Sequence, residues 1–179
     1  MNLPEKIVEL HQALEQAELP HAFGGALALA WCTQRARGTI DIDINVFVDP
    51  DCGDQVFAAM PDGVKSTAKQ RKELGAEGQV RLWWEKTPVD LFLNTTQFHA
   101  DAAQRVRWEI FMNADIPFIA CNDLAVFKAF FNRTQDWADL EAMHAAGTLN
   151  IQKVIAILSE YLGADDERVG KLNFLLSYD

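Results

Sequence analysis

The sequence of 179 residues predicts an α/β (α+β) fold, in which a mixed β-sheet with flanking helices is followed by a C-terminal helical bundle. Two observations support this prediction. Before residue 122, apolar and polar residues alternate with a period of two in several segments, which is typical of strands with one buried face. After residue 122, apolar residues recur at helical spacing. We therefore expect a core domain at residues 1–121 and a helical region at residues 122–179, unless the two form one compact unit.

The first segments of the chain predict a helix, a short strand and a second helix. Residues 3–18 have the pattern of an amphipathic helix, which Leu19-Pro20 ends. Residues 21–23 are a strand candidate, and Gly24-Gly25 then opens a helix of small residues. A Gly-Gly turn before a helix leaves backbone N–H groups free to contact a phosphate. The alternative is a tight turn with no ligand, which is the more frequent use of two glycines.

The segment from Ile40 to Val48 predicts a strand that carries two acids on one face. Its apolar face would hold Ile40, Ile42, Ile44, Val46 and Val48, and its other face Asp41, Asp43, Asn45 and Phe47. Two carboxylates at i and i+2 are about 6–7 Å apart at the backbone and repel each other unless a cation lies between them. Hard oxygen ligands favour Mg²⁺. The alternative is an acidic, solvated face of an edge strand.

The middle of the chain predicts a helix, a basic loop and a β-hairpin. A helix at about 52–60 is followed by a polar stretch at 62–78, which we expect to be a loop. The loop contains four cations that would either be solvated or contact nucleotide phosphates or RNA: Lys65, Lys69, Arg71 and Lys72. Residues 79–94 have the pattern of a hairpin, in whose second strand Asp90 is flanked by apolar residues. A buried acid needs a partner or a metal ion.

The remaining segments predict a short helix, two strands and then helices alone. We expect a helix at about 97–106, strands at 107–112 and 116–121, and an N-cap at Asn122-Asp123. Four helices would follow, at 124–133, 135–146, 151–162 and 165–177. Lys128 lies in an apolar, aromatic helix, so its ammonium either extends to solvent or enters an anionic pocket, where a triphosphate or Asp136 could pair with it.

Composition restricts the partners and the compartment. The net charge of −10 disfavours binding a phosphate backbone by bulk attraction, but it permits a local basic patch or a metal–nucleotide complex. No apolar run reaches the length of a membrane span, so we expect a cytoplasmic protein without a membrane partner. Cys32, Cys52 and Cys121 show no paired spacing and are expected to be reduced thiols, two of them in the core. The four histidines have no ligand spacing with the cysteines, so we expect no zinc site.

Several short motifs, in this order, resemble the nucleotidyltransferase superfamily of the DNA polymerase β type. They are a strand followed by Gly24-Gly25 and a helix, then Arg37-x-Thr39-x-Asp41-x-Asp43, then Asp90. The closer resemblance is to the AbiEii-like toxin nucleotidyltransferases, and it rests on two further motifs, residues 123–128 and Arg133-x-x-Asp136-x-x-Asp139-Leu140. The resemblance covers about residues 20–142. It implies that the predicted domain at residues 1–121 is a nucleotidyltransferase core.

The resemblance implies an NTP- and Mg²⁺-dependent enzyme that moves an NMP from an NTP, such as ATP, to an acceptor hydroxyl. It assigns Mg²⁺ (or Mn²⁺) to Asp41, Asp43 and Asp90, and a catalytic role near the nucleotide phosphates to Lys128. It assigns nucleotide binding to Gly24, Gly25, Arg37, Thr39 and Asp136. The chain departs from the family in having Gly25 where many members have serine, and in a longer gap between Gly25 and Asp41.

Two classes of function remain open. The chain could be an active enzyme that modifies a tRNA or RNA end, a protein side chain or a small molecule. As a component of a toxin–antitoxin system, it would also have a cognate antitoxin or toxin as a partner. The alternative is a catalytically inactive nucleotide-binding or protein-interaction module of the same fold. Because inactive members usually lack one or more of the three acids, the presence of Asp41, Asp43 and Asp90 favours the enzyme.

Overall fold

A computed structural model describes residues 1–36 and 38–177 and confirms the mixed α/β fold. The strands of the described chain are β1 (His21–Phe23), β2 (Ile42–Val46), β3 (Val64–Lys65), β4 (Gln79–Trp84), β5 (Thr87–Phe92), β6 (Arg107–Phe111) and β7 (Ala114–Phe118). They form one mixed sheet in the order β3-β4-β5-β2-β1-β7-β6. In the part of the chain that is described, no strand follows Phe118, as the helical periodicity predicted.

The helices follow the predicted order, with one addition. They are α1 (Leu3–Gln16), α2 (Gly25–Thr33), α3 (Gly53–Ala59), α4 (Ala68–Glu77), α5 (Gln97–Ala102), α6 (Cys121–Phe131), α7 (Thr134–Ala145), α8 (Ile151–Leu162) and α9 (Glu167–Leu176). Short 3₁₀ turns lie at Pro50–Cys52 and Ala103–Arg105. Over residues 1–36 and 38–177, none of these helices has the length and apolar composition needed to cross a membrane.

The chain divides into two compact units. The first comprises Met1–Leu27 and Arg37–Ile119 and contains the sheet. The second comprises Ala28–Ala36 and Ala120–Asp179 and contains α6 to α9. The division into a nucleotidyltransferase core at 1–121 and a helical region at 122–179 stays a prediction.

The centre of the sheet is β2, which pairs in parallel with β5 and antiparallel with β1. Ile42, Ile44 and Val46 are fully buried, as the alternation predicted. Ile40 was expected on the same face, but it is 79% exposed. The pairing explains this difference, because the ladder with β5 begins only at Ile42 and leaves Ile40 without a neighbouring strand.

The expected loop at 62–78 is wrong, because this stretch forms β3 and α4. Thr67 caps α4 through a reciprocal pair of contacts with Gln70, and Gly78 ends it in the left-handed conformation with φ of 68°. Within α4 only Leu74 is buried, so the helix has almost no apolar stripe for sequence reasoning to detect. The four basic residues of this stretch are exposed.

The start of α6 also differs from the prediction. The helix begins at Cys121 with Ala120 as its N-cap, so the expected strand at 116–121 ends early, at Phe118, and Asn122-Asp123 is not the cap. The Asn122 side chain instead contacts Asn150: its Oδ1 accepts a hydrogen bond of 2.8 Å from the backbone N–H of that residue. This contact ties the residue that caps α8 to the first turn of α6.

A buried ionic cluster lies between α6 and α7 in the second unit. Lys128 is 6% exposed. Its Nζ donates to Asp139 Oδ2 at 2.6 Å and lies 3.5 Å from Asp136 Oδ1. Burial would raise the pKa of Asp136, but the hydrogen bond from Arg133 and the charge of Lys128 outweigh it and lower that pKa. Of the two alternatives for Lys128, the structure shows the anionic pocket, and Asp139 is the principal partner.

Cys32 of α2 and Cys121 of α6 form a disulfide within the second unit, with 5.6 Å between their Cα atoms. The expectation of three reduced thiols is therefore wrong for these two residues, while Cys52 is a free thiol. Cys32 and Cys121 are both buried. A separation of 89 residues carries no pairing signal in the sequence, which is why spacing did not reveal the bond.

We predict that loss of this disulfide destabilises the protein. A cross-link that closes a loop of this length restricts the unfolded chain, and its removal costs about 2–5 kcal/mol. Urea unfolding without reductant should show that loss for Cys121→Ser, and no comparable loss for Cys52→Ser. Reductant should lower the stability of the wild type to that of Cys121→Ser. Detection of three reactive thiols in denatured, unreduced wild type would contradict the bond.

We also predict that Lys128→Met destabilises the fold by about 3 kcal/mol or more, because it removes the cation that the buried Asp139 carboxylate binds at 2.6 Å. Thermal or urea unfolding measures the change, with Lys153→Met on the exposed side of α8 as the control. The double variant Lys128→Met/Asp139→Leu should be more stable than Lys128→Met alone, since it removes the orphaned charge. If the changes in the free energy of unfolding simply add, the interaction between Lys128 and Asp139 does not stabilise the fold.

Candidate active site at the acidic strands

Asp43 and Asp90 lie side by side on neighbouring parallel strands. The register of β2 and β5 places Asp43 directly opposite Asp90. Neighbouring strands are about 4.8 Å apart, so two residues in register present their side chains together on the same face. Both side chains are half-buried, whereas their strand neighbours Ile44 and Leu91 are fully buried. The fold thus brings together two acids that are 47 positions apart in the chain.

Asp41 precedes β2 and is held by Thr39. The Thr39 hydroxyl donates to Asp41 Oδ1 at 2.5 Å, and the backbone N–H of Asp41 donates to Thr39 Oγ1 at 3.4 Å. These contacts fix the direction of the Asp41 carboxylate. Its other oxygen, Oδ2, lies 4.0 Å from Nη2 of Arg81.

Arg81 is a site residue that the sequence analysis missed. It lies on β4 directly opposite Asp90 and binds it in a bidentate manner, with Nε to Oδ1 at 2.7 Å and Nη2 to Oδ2 at 2.6 Å. The hydrogen bond to Asp90 raises the pKa of Arg81, burial opposes this, and the charges of Asp90, Asp41 and Asp43 raise it further. The Arg81 guanidinium therefore interacts electrostatically with all three carboxylates.

The sequence did contain a signal for Arg81. The residues of β4 alternate between exposed and buried, with Gln79, Arg81 and Trp83 on the exposed face. The two-residue turn Glu85-Lys86 fixes the hairpin register, and this register places Arg81 opposite Asp90. Counting back from the turn would have identified the pair.

The glycine turn contacts the acidic strand. The backbone N–H of Gly24 donates to the Asp43 carbonyl at 2.9 Å. Gly25 begins α2 with φ of 53°, and a Cβ atom at this position would overlap Oδ2 of Asp43. A side chain at position 25 would therefore require the Asp43 carboxylate to move. The Asp43 carboxylate lies at the N-terminus of α2, where the helix dipole favours a negative charge.

The other predicted site residues are placed as follows. Lys128 and Asp136 belong to the buried ionic cluster of the second unit. Arg37 lies outside the described residues. The roles assigned to Gly24, Gly25, Arg37, Thr39, Lys128 and Asp136 in nucleotide binding or catalysis stay predictions.

The three acids have the chemistry that a hard divalent cation needs. Carboxylate oxygens suit Mg²⁺ or Mn²⁺, and the guanidinium of Arg81 already supplies positive charge among them. Asp41 Oδ2 lies 4.0 Å from Arg81, so an ion held by Asp41 and Asp43 would compete with this guanidinium. Both oxygens of Asp90 accept hydrogen bonds from Arg81, so Asp90 fits as a ligand only when that pair opens.

Comparison with known proteins gives no match to a family model and none to a curated sequence. Solved structures do match. The chain is similar to the solution structure of the antibiotic-resistance factor ANT(2'')-Ia, with 14% identity, a TM-score of 0.55, and coverage of 98% of this chain and 91% of that one. It is also similar to the crystal structure of ANT(2'')-Ia in complex with adenylyl-2''-tobramycin, with 13% identity, a TM-score of 0.56, and coverage of 98% and 97%.

A third similar structure is an antigenic nucleotidyltransferase-like protein from Paracoccidioides brasiliensis. It has 13% identity and a TM-score of 0.54, and the match covers 94% of this chain and 92% of that one. At such identities the likeness concerns the fold and not the substrate. The chain therefore shares the fold of these solved structures, as the sequence motifs predicted.

Proposed function

We propose that this chain is a metal-dependent nucleotidyltransferase that moves an NMP from an NTP to an acceptor hydroxyl. The proposal is supported by two observations: Asp43 and Asp90 are in register on neighbouring strands, and the Arg81 guanidinium binds Asp90 and lies 4.0 Å from Asp41. The nucleotidyltransferase fold supports the same conclusion.

In this mechanism Asp41 and Asp43 would hold Mg²⁺ (or Mn²⁺). When bound, the ion would stabilise the negative charge that develops during phosphoryl transfer. Thr39 keeps the Asp41 carboxylate in a fixed direction through its hydroxyl. Gly25 allows the Asp43 carboxylate to lie against the start of α2, where a side chain at position 25 would displace it.

Asp90 is the proposed general base, and Arg81 controls it. In the structure both Asp90 oxygens accept hydrogen bonds from the guanidinium, so an acceptor hydroxyl has to displace Arg81 to reach them. We propose that Arg81 exchanges Asp90 for phosphate oxygens of the NTP. Asp90 then accepts the proton of the acceptor hydroxyl, and the acceptor oxygen bonds to the α-phosphorus. The bond from that phosphorus to the bridging oxygen breaks, and pyrophosphate leaves.

The acceptor we favour is a cationic small molecule such as an aminoglycoside. The net charge of −10 attracts a polycation and opposes the approach of an RNA backbone. A structural neighbour, ANT(2'')-Ia, was crystallised in complex with adenylyl-2''-tobramycin. An RNA acceptor would instead use the exposed basic residues of β3 and α4, namely Lys65, Lys69, Arg71 and Lys72. A protein acceptor and a toxin–antitoxin role with a cognate partner are further alternatives.

We predict that Asp43→Asn lowers NMP transfer at least about a hundredfold, because the cation loses a charged ligand. The assay uses each α-labelled NTP with Mg²⁺ and, separately, aminoglycoside, tRNA and protein acceptors. Asp62→Asn, an exposed acid outside the site, is the matched control. Transfer by Asp43→Asn at the wild-type rate would exclude the proposed site. Nucleotide binding by the wild type without transfer to any acceptor would favour the inactive module.

We predict that Arg81→Gln tightens binding of free Mn²⁺ roughly three- to tenfold, since it removes a half-exposed cation that competes for the same carboxylates. The same variant should transfer NMP more slowly, because it lacks the phosphate contact. Calorimetry with Mn²⁺ measures the first effect, and Arg71→Gln on α4 is the control. Unchanged or weaker Mn²⁺ binding in Arg81→Gln would show that Arg81 does not occupy the cation position.

A further inference from the structure

Two buried histidines and one acid converge at the junction of α1 and β1, in the first unit. His11 and Glu15 lie one helical turn apart on α1, and His21 is the first residue of β1. A ring nitrogen of each histidine and a carboxylate oxygen of Glu15 all lie within 4.8 Å of one another. His11 is 7% exposed and His21 is 4% exposed, whereas Glu15 is exposed.

The hydrogen bonds around His21 fix which nitrogen can bind a ligand. Its Nδ1 lies 2.8 Å from the carbonyl oxygen of Leu19, which can only accept, so Nδ1 carries the proton. In the neutral ring the lone pair is then on Nε2, which faces His11 Nδ1 at 2.9 Å. A backbone carbonyl that orients the far nitrogen of a histidine is a recurrent arrangement around metal-ligating imidazoles.

The geometry points to a Zn²⁺ site formed by His11 Nδ1, His21 Nε2 and the carboxylate of Glu15. Ligands at 2.0–2.1 Å in a tetrahedral site are about 3.4 Å apart, so the two nitrogens need to separate by only roughly half an ångström. His11 takes the tautomer with its proton on Nε2, which frees Nδ1 for the ion. Glu15 is exposed and can swing onto the ion, and the fourth position is left for water.

The donor set distinguishes this site from the acidic one. Two imidazoles and one carboxylate favour Zn²⁺, or Co²⁺ as its spectroscopic substitute, over Mg²⁺, which prefers oxygen ligands. The two sites are also separate in space. His21 is at the start of β1, whereas Gly24, which contacts Asp43, follows the end of this strand about 10 Å away. The ion would thus clamp α1 to the start of β1 and not take part in nucleotidyl transfer.

Zn²⁺ titration of the full chain tests the site, after treatment with EDTA and in the presence of excess Mg²⁺ to fill the acidic site. We expect one Zn²⁺ per chain, a rise in the unfolding temperature, and visible absorption bands of tetrahedral Co²⁺ when Co²⁺ replaces Zn²⁺. Glu15→Gln and His11→Gln should each weaken Zn²⁺ binding about tenfold or more. His144→Gln, on α7 in the second unit, should bind as the wild type does.

Glu15→Gln is the decisive variant, because its side chain is exposed and its replacement does not disturb the core. Unaltered Zn²⁺ affinity in a folded Glu15→Gln protein would overturn the three-ligand site. Absence of Zn²⁺ binding by the wild type would do so too, and would assign the histidines to a purely structural hydrogen bond. The NMP-transfer assay of Glu15→Gln should match the wild type, so failure of the zinc site leaves the proposed enzymatic function untouched.

Discussion

The constraint on which the candidate site depends is the electrostatics of three acids near one guanidinium. The register of β2 and β5 places Asp43 opposite Asp90, Asp90 binds Arg81, and Asp41 Oδ2 lies 4.0 Å from Nη2 of Arg81. Like charges at this spacing are stable only beside a cation. Arg81 supplies that charge from within the chain. Under the proposed function, a nucleotide–metal complex would take the place of this internal charge.

Much of the fold could be predicted because its signals are local. Alternation identified β2 and the β4–β5 hairpin, and the helical spacing after residue 122 identified the C-terminal helices. The prediction failed in segments that have few buried residues or no neighbouring strand. Helix α4 has one buried residue and was mistaken for a loop, although its Thr67–Gln70 cap could have revealed it. Ile40 was assigned to a strand face from its alternation, but no neighbouring strand reaches it.

The acids of the candidate site could be predicted from the sequence, but the cation that binds them could not. Asp41 and Asp43 stand out because acids are rare in the middle of an apolar strand. Arg81 does not stand out, since an arginine on the exposed face of a strand is ordinary until the hairpin register pairs it with Asp90. Lys128 and His11 meet their partners through packing between elements. The separation of two residues in the sequence does not tell how close they lie in the fold. The Cys32–Cys121 bond is the extreme case.

That bond has a topological consequence. The chain between Cys32 and Cys121 contains every strand from β2 to β7, so the disulfide closes a covalent ring around most of the sheet. Asp41, Asp43, Arg81 and Asp90 all belong to this ring. A single cut in any loop of the ring opens it without releasing either fragment while the disulfide is intact. The acidic strands therefore stay covalently connected even when the backbone is cut once within the ring. They separate covalently only after a reductant breaks the disulfide.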